Sequence, residues 1–234
     1  MKYDIVLLDA DGTLLDFHRS EREAVAEALR TMGLCPDGKM LDDYAEINDG
    51  LWKRLERGEI ERSVLLYHRF ELLFERYGVF ADAKETAALY MTLLARKGYV
   101  LEGARELCES LFGQARLYIV TNGTESIQRG RFADSGLEPY FDRIFISQVV
   151  GYDKPDVRFF DHVAEQIPDF SKERALIVGD SISSDILGGI RFGIDTCWYN
   201  PSGKSTPEDM ADSITYVARD FNEIFRCVTE GADV

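Results

Sequence analysis

The first apolar run, Ile5–Leu8, is continuous rather than alternating, the pattern of a strand buried on both faces of a parallel sheet. Asp9, Asp11 and Gly12 end it. From about residue 19 to residue 97 the rhythm turns helical, with hardly a strand signal. A first helix is expected from Ser20, with Glu23 completing a capping box and Gly33 closing it. Ala24, Ala28, Leu29 and Met32 then share one face. Three more helices are expected, over 41–55 with a stop at Gly58, over 61–77, and over 84–97 with a stop at Gly98. Leu65, Leu66, Phe70, Leu73 and Phe74 form the apolar stripe of the third.

After Gly98 helices and strands alternate. Strands are expected at 116–121, 143–146, 175–178, 196–199 and near 214–217. Helices are expected at 105–112, 125–135, 156–166, 183–192 and 221–228, the one at 156–166 opened by Pro155 in its first turn. This alternation predicts an α/β fold, a doubly wound parallel sheet of Rossmann-like type, interrupted early by an all-helical insert. The expected division is a core of residues 1–16 and 100–234 and an insert of residues 17–99. No Gly- or Pro-rich linker joins them, so the hinges are short, near 16–19 and 98–102.

Composition narrows the setting. The chain has 234 residues, 45% hydrophobic and 29% charged, enough to bury a core without disulfides or structural metal. No apolar run approaches the ~18 residues that a membrane helix needs, and the opening segment is no secretion signal. A formal charge of −15 repels nucleic-acid polymers and anionic membranes. A small phosphorylated metabolite stays admissible if a metal or a local cation reverses the field. Cys35, Cys108, Cys197 and Cys227 match no zinc spacing and no C-x-x-C pair, so reduced thiols in a cytoplasmic protein are expected.

Doubly wound sheets bind ligands at the carboxyl ends of their strands. Four places qualify: Asp9 to Thr13, Thr121 to Gly123, Asp153 to Asp156, and Gly179 to Ser181 with Asp185 beyond. Asp9, Asp11, Asp180 and Asp185 would crowd negative charge together, at a cost of several kcal/mol at short range. A hard divalent cation with oxygen ligands relieves that repulsion, and Mg2+ suits carboxylates that also receive a phosphate. Thr121 and Asn122 offer a hydroxyl, an amide side chain and backbone N–H groups to phosphate oxygens. Lys154 offers a point charge. Together these make a site for phosphoryl transfer.

Asp9-Ala-Asp11-Gly-Thr13-Leu14, Thr121-Asn122, Lys154-Pro155 and Gly179-Asp180-Ser-Ile-Ser-Ser-Asp185, in this order, resemble the four motifs of the haloacid dehalogenase superfamily. The resemblance spans the chain, since the helical insert is similar to that family's helical cap. It implies an Mg2+-dependent phosphatase working through an aspartyl-phosphate. Asp9 is then the nucleophile, and Asp11 is the general acid and later the base. Asp9, the Asp11 carbonyl and Asp180 hold Mg2+, Asp185 orients the metal's waters or Lys154, and Thr121, Asn122 and Lys154 bind the phosphoryl group. Stretches such as Arg57-Gly58-Glu59-Ile60 and Gly193 to Trp198 also resemble the pyrimidine 5'-nucleotidase branch, which implies a nucleoside 5'-monophosphate substrate. A sugar-phosphate phosphatase or phosphomutase, or a non-catalytic binding protein, are the alternatives. Asp11 argues against a dehalogenase, which lacks that carboxylate, and against a phosphonate hydrolase, which carries Ala there. Substrate choice is expected on the cap near Arg57, Gly58 and Glu59 and just after the first motif. His18, His68 and His162 are read as structural or surface residues, Trp52 as part of the cap's core, and the assembly as a monomer or weak homodimer.

Overall fold

A computed structural model describes residues 1–208 and 210–231; positions 209 and 232–234, all within the expected core segment, lie outside the described residues. Strands β1 (Ile5–Leu8), β2 (Arg116–Thr121), β3 (Arg143–Ile146), β4 (Ala175–Gly179), β5 (Asp195–Tyr199) and β6 (Tyr216–Ala218) form one parallel sheet. Their order is β3-β2-β1-β4-β5-β6, so the winding reverses beside β1. Helices α1 (Phe17–Thr31), α2 (Gly38–Glu56), α3 (Arg62–Tyr77) and α4 (Ala83–Leu94) follow β1. Then come α5 (Ala104–Leu111) before β2, α6 (Glu125–Ser135) after it, α7 (Ser147–Val150) and α8 (Val157–Glu165) after β3, α9 (Leu187–Phe192) after β4, and α10 (Phe221–Glu230) last.

The unbroken apolar run of β1 is explained by its two covered faces. Val6 and Leu8 enter one cluster with Leu107 and Leu111 of α5 and Ile224 and Val228 of α10. Ile5 and Leu7 enter the other, with Phe159, Phe160 and Val163 of α8. Each face is sealed, so no position along the strand is free to be polar. Among the described residues no helix is long and apolar enough to cross a membrane, and all four cysteines are free thiols.

Several elements differ from expectation, among them α1, α8, α4 and the segment 182–186. The first helix starts at Phe17 because Asp16, not Ser20, caps it: Asp16 Oδ1 accepts from Arg19 N at 3.0 Å. Ser20 is inside the helix, its hydroxyl 2.7 Å from the Asp16 carbonyl oxygen and 2.9 Å from that of Lys97. The helix at α8 starts at Val157 under an Asp156 cap, and Pro155 belongs to the preceding loop, after a cis Lys154–Pro155 peptide. α4 stops at Leu94, short of Lys97. The segment beyond lies so close to α6 that a Cβ on Gly98 would overlap the Arg131 carbonyl oxygen. Ile182–Ile186, expected as ordinary helix, is a π-helical turn, a feature frequent at functional sites.

Helices α1 to α4 pack around their own cluster of Ala24, Leu29, Tyr44, Phe70, Leu73 and Tyr90, into which Ile127 of α6 also reaches. That cluster holds a buried polar chain. Asn48 Nδ2 donates to Glu21 Oε1 at 2.7 Å, and Arg69 Nη1 donates to Asn48 Oδ1 at 2.9 Å. The Arg69 guanidinium lies 4.6 Å from the Tyr90 ring centroid. Burial pushes the Glu21 carboxyl up to about 7, against the opposing pull of Arg69 and Asn48. A raised carboxyl favours the fold most when protonated, so its contribution is full below the ordinary glutamate value of 4.5 and is lost as pH rises through about 7. Glu21→Gln keeps the acceptor without the charge. It is expected to gain up to about 3 kcal/mol over the parent near pH 8.5 and nothing near pH 4, read by urea unfolding. Identical stabilities of parent and variant across that range would contradict the assignment.

Candidate active site

Register aligns the strand ends. Leu8 pairs with Ile119 of β2 and with Val178 of β4, so Asp9, Thr121 and Asp180 all lie at the carboxyl edge of the sheet within two residues of that level. Asp9 N donates to Val178 O at 2.9 Å. Lys154, 1% exposed, projects from the loop before α8 into the space between them. Its Nζ donates to Asp9 Oδ1 (2.7 Å), Asp185 Oδ1 (2.6 Å) and the Val120 carbonyl (2.6 Å). An ammonium has three protons, and all three are taken.

Asn122 fixes the lysine's backbone. Its Oδ1 accepts from Lys154 N and its Nδ2 donates to Lys154 O, both at 2.8 Å. The Asn122 amide, expected to face phosphate, is therefore committed to Lys154. Thr121 is buried, and its Oγ1 accepts from Gly123 N at 3.3 Å. Asp185 is wholly buried inside the π-helical turn, and its Oδ2 accepts from Ser181 N at 3.2 Å. Asp180 is held through its backbone: its N–H donates to Thr13 Oγ1 at 3.1 Å and its carbonyl accepts from Trp198 Nε1 at 3.0 Å. Gly12, at φ +86°, lies so near that a Cβ there would stand 2.6 Å from Asp180 Oδ2.

Asp9, Asp180 and Asp185 bring one oxygen each within 4.8 Å of one another. Three carboxylates thus face one ammonium. Burial pushes Asp9 well above the usual carboxylate range, Asp185 adds repulsion, and Lys154 opposes both. Burial and Asp185 push Asp180 up to about 7. Burial alone would lower Lys154, but Asp185 and Asp9 more than offset it and raise it. Hard oxygen donors, excess negative charge and buried walls fit a divalent cation.

Asp11 stands apart from that trio. Arg131 Nη1 donates to its Oδ1, and Gln128 Nε2 donates to its Oδ2 at 2.6 Å. The carboxylate side chain is thus turned to α6 rather than to the acidic cluster.

Several contacts were not foreseen. Gln128 and Arg131 lie three apart on α6 among the buried residues Ile127 and Phe132, and polar side chains on a buried stripe were the available signal. Arg62, at the start of α3, reaches from the helical layer to the sheet's edge. Its Nη1 donates to the carbonyls of Asn122 (2.7 Å) and Gly123 (3.0 Å), its Nη2 to Ser147 Oγ (2.7 Å), and it pairs with Asp153. Glu56 Oε2 accepts from Ser183 Oγ at 2.8 Å. Arg57 and Glu59, expected to select substrate, pair with each other on the surface at 2.5 Å, and Gly58 lines a crevice of about 480 Å³ between α2 and the α8 loop. Trp52 lies outside the insert's apolar cluster, 5.3 Å from the Arg62 guanidinium. His18 is exposed.

A doubly wound sheet with carboxylates, one lysine and oxygen donors at its switch point is the frame of a phosphoryl-transfer hydrolase. Residues 3–193 match the haloacid dehalogenase-like hydrolase family. The chain is 43% identical over 202 residues to the pyrimidine 5'-nucleotidase PynA of Streptococcus pneumoniae, covering 86% of this chain and 85% of that one. It is 34% identical over 215 residues to the pyrimidine 5'-nucleotidase YjjG of Escherichia coli, covering 92% and 94%. Among solved structures, the HAD-hydrolase YfnB of Bacillus subtilis, bound to magnesium, superposes with a TM-score of 0.92 at 37% identity, covering 98% of this chain and 100% of that one. The chain belongs to the haloacid dehalogenase-like hydrolase family and is a phosphoric monoester hydrolase.

Removing the buried ammonium should be costly. Lys154→Met leaves Asp9 and Asp185 without their shared partner, and breaking a buried pair typically costs ~3–5 kcal/mol. The metal-free variant is expected to lose that much in urea unfolding at neutral pH. A loss below ~1 kcal/mol, the scale of an exposed pair, would mean that the lysine does not hold the cluster together.

Proposed function

We propose that the protein hydrolyses nucleoside 5'-monophosphates with pyrimidine bases, in an Mg2+-dependent reaction through an aspartyl-phosphate on Asp9. The observation that carries the chemistry is the division of labour between two carboxylates two residues apart. Asp9 lies in the acidic cluster against Lys154, while Asp11 has separate partners on α6. The substrate class rests on the likeness to PynA and YjjG. The metal is supported by the magnesium in the structure of YfnB.

Asp9 Oδ1 is bound to Lys154, so Oδ2 is the oxygen that attacks phosphorus. The ester P–O bond breaks, and Asp11 gives its proton to the leaving nucleoside 5'-oxygen. Asp11 then takes a proton from water, the water oxygen attacks the phosphorus, and the Asp9–phosphorus bond breaks. Inorganic phosphate leaves with Asp9 restored. Asp9, the Asp11 carbonyl and Asp180 are the residues that would hold Mg2+, with Asp185 behind them. When bound, Mg2+ supplies positive charge against which the anionic ester can approach Asp9. Thr121 Oγ1 and the backbone N–H groups beyond β2 bind the phosphoryl oxygens, and Lys154 favours the ionised form of Asp9 and aims it. The helical layer, which touches these loops through Arg62 and Glu56, excludes water during transfer.

Three experiments test this reading. A panel of phosphate esters with Mg2+ is expected to rank UMP, CMP and dTMP above purine nucleotides and hexose phosphates. Turnover of hexose phosphates without nucleotides would favour the sugar-phosphate alternative. Chelation is expected to abolish turnover and added Mg2+ to restore it; undiminished turnover after chelation contradicts the metal assignment.

The third separates the two carboxylates. Asp9→Asn cannot form the intermediate. Asp11→Asn is expected to lose ~10²–10⁴ in rate on nucleotides, the typical worth of acid–base help. With an activated aryl phosphate it is expected to accumulate a phosphoryl mass on the peptide containing Asp9, read by mass spectrometry of the quenched protein. Phosphate elsewhere, or full turnover by Asp9→Asn, would displace the nucleophile.

A further inference from the structure

Asp11 is gripped by side chains that belong to none of the four motifs. Arg131 is 0% exposed, while the Asp11 side chain is 25% exposed, so the arginine stands behind the carboxylate and is shut off from anything entering the site. Gln128, 1% exposed, binds the other carboxylate oxygen at 2.6 Å. With a donor on each oxygen, rotation of the carboxylate is fixed as well as its place.

The remaining nitrogens of Arg131 point to the two places where the chain crosses between sheet and helical layer. Nε donates to the Lys97 carbonyl at 3.1 Å, on the returning crossing. Nη2 lies 3.5 Å from Ser20 Oγ, on the outgoing one, and the guanidinium lies 5.5 Å from the Phe17 ring centroid. The crossings also hold each other. Asp16 N donates to Tyr99 O at 2.8 Å, Leu101 N donates to Leu14 O at 2.9 Å, and Leu15 bridges to Val100. α6 braces them again where Gly98 N donates to Asp134 Oδ2 at 2.8 Å. One buried guanidinium therefore touches the carboxylate and both crossings at once.

We infer that Arg131 is a positioning residue for Asp11, setting the acid–base carboxylate by reference to the two crossings that carry the helical layer. The inference rests on the acid–base role proposed above for Asp11. A buried guanidinium must keep an acceptor. A shift of either crossing that moves Lys97 O or Ser20 Oγ therefore pulls on Arg131, and through it on Asp11. Correct placement of Asp11 is thus tied to the seating of the helical layer. Gln128 completes the grip from the same face of α6.

The test compares Arg131→Met, Arg131→Lys, Asp11→Asn and the double variant Asp11→Asn/Arg131→Met, with Mg2+ present. Each is assayed on an alkyl phosphate, whose leaving group needs a proton, and on an activated aryl phosphate, whose leaving group does not. Formation of the phosphorylated protein is followed by mass spectrometry. Arg131→Met is expected to lower kcat on the alkyl ester by ~10²-fold or more, within the range of lost acid–base help, with KM little changed. Phosphorylation of Asp9 by the aryl ester should slow by less than ~10-fold, since that step does not depend on the acid. Arg131→Lys should recover part of the alkyl-ester activity. The double variant should be no slower than Asp11→Asn alone, because a residue that acts through Asp11 has nothing left to act on.

Multiplying losses in the double variant, or equal losses on both esters, would reduce Arg131 to a structural brace and overturn the inference while leaving the Asp11 assignment intact. Full activity of Asp11→Asn would overturn both together. If Arg131→Met fails to fold, Arg131→Lys decides: its alkyl-to-aryl rate ratio is expected to fall below the parent's, and an unchanged ratio overturns the inference.

Discussion

Lys154 carries its charge into the interior, 2.7 Å from Asp9 and 2.6 Å from Asp185, where an unpaired ion would cost several kcal/mol. Much of the neighbouring backbone serves to keep it there. Asn122 binds both polar groups of its peptide backbone, the Val120 carbonyl takes its third proton, and the π-helical turn brings Asp185 under it. The register of β1 with β2 and β4 sets the distance between those attachments. Even so, one ammonium does not balance three carboxylates: burial first, and then repulsion from Asp185, raise Asp9 and Asp180 against the pull of Lys154. A site that keeps excess negative charge in a buried place is unfavourable by itself and becomes favourable when a cation and an ester phosphate arrive.

The helical layer meets this site at separate loops. Arg62 binds the carbonyls after β2 and pairs with Asp153 beside Lys154, and Glu56 accepts from Ser183 in the π-helical turn. On the other side the two crossings lie against α6, through Arg131 and through the close approach at Gly98. The loops that carry the reacting groups are thus also the loops on which the helical layer is seated. Movement of that layer and arrangement of the site are consequently not independent.

The sheet was legible because its strands are buried on both faces: the continuous run in β1 and the alternation after Gly98 have no other economical reading. Asp9, Lys154, Asp180 and Asp185 were legible from the order of the motifs, and the structure brings them together. Local rules failed where a competing partner lay far away in sequence. Ser20 has the pattern of a cap, but Asp16 outranks it, and Ser20 Oγ instead approaches Lys97 O, 77 residues on. No local pattern shows that Lys154 claims both ends of the Asn122 side-chain amide. Arg69, Gln128 and Arg131 escaped notice because buried polar residues on helix faces carry no motif. Their partners, Asn48 and Asp11, come from other helices or loops.

The central claim is that Asp9, Asp180 and Asp185 gather an excess of negative charge that a divalent cation would neutralise. It is tested most directly without substrate, by following the thermal unfolding midpoint of the chelator-stripped protein as Mg2+ is added at constant ionic strength. Binding to the native state alone predicts a midpoint that climbs with the logarithm of Mg2+ above its dissociation constant, equivalent to about 2.7 kcal/mol when Mg2+ reaches a hundred times that constant. The same titration of Asp180→Asn should show a much weakened rise. A midpoint indifferent to Mg2+, or an equal rise in Asp180→Asn, would contradict the account.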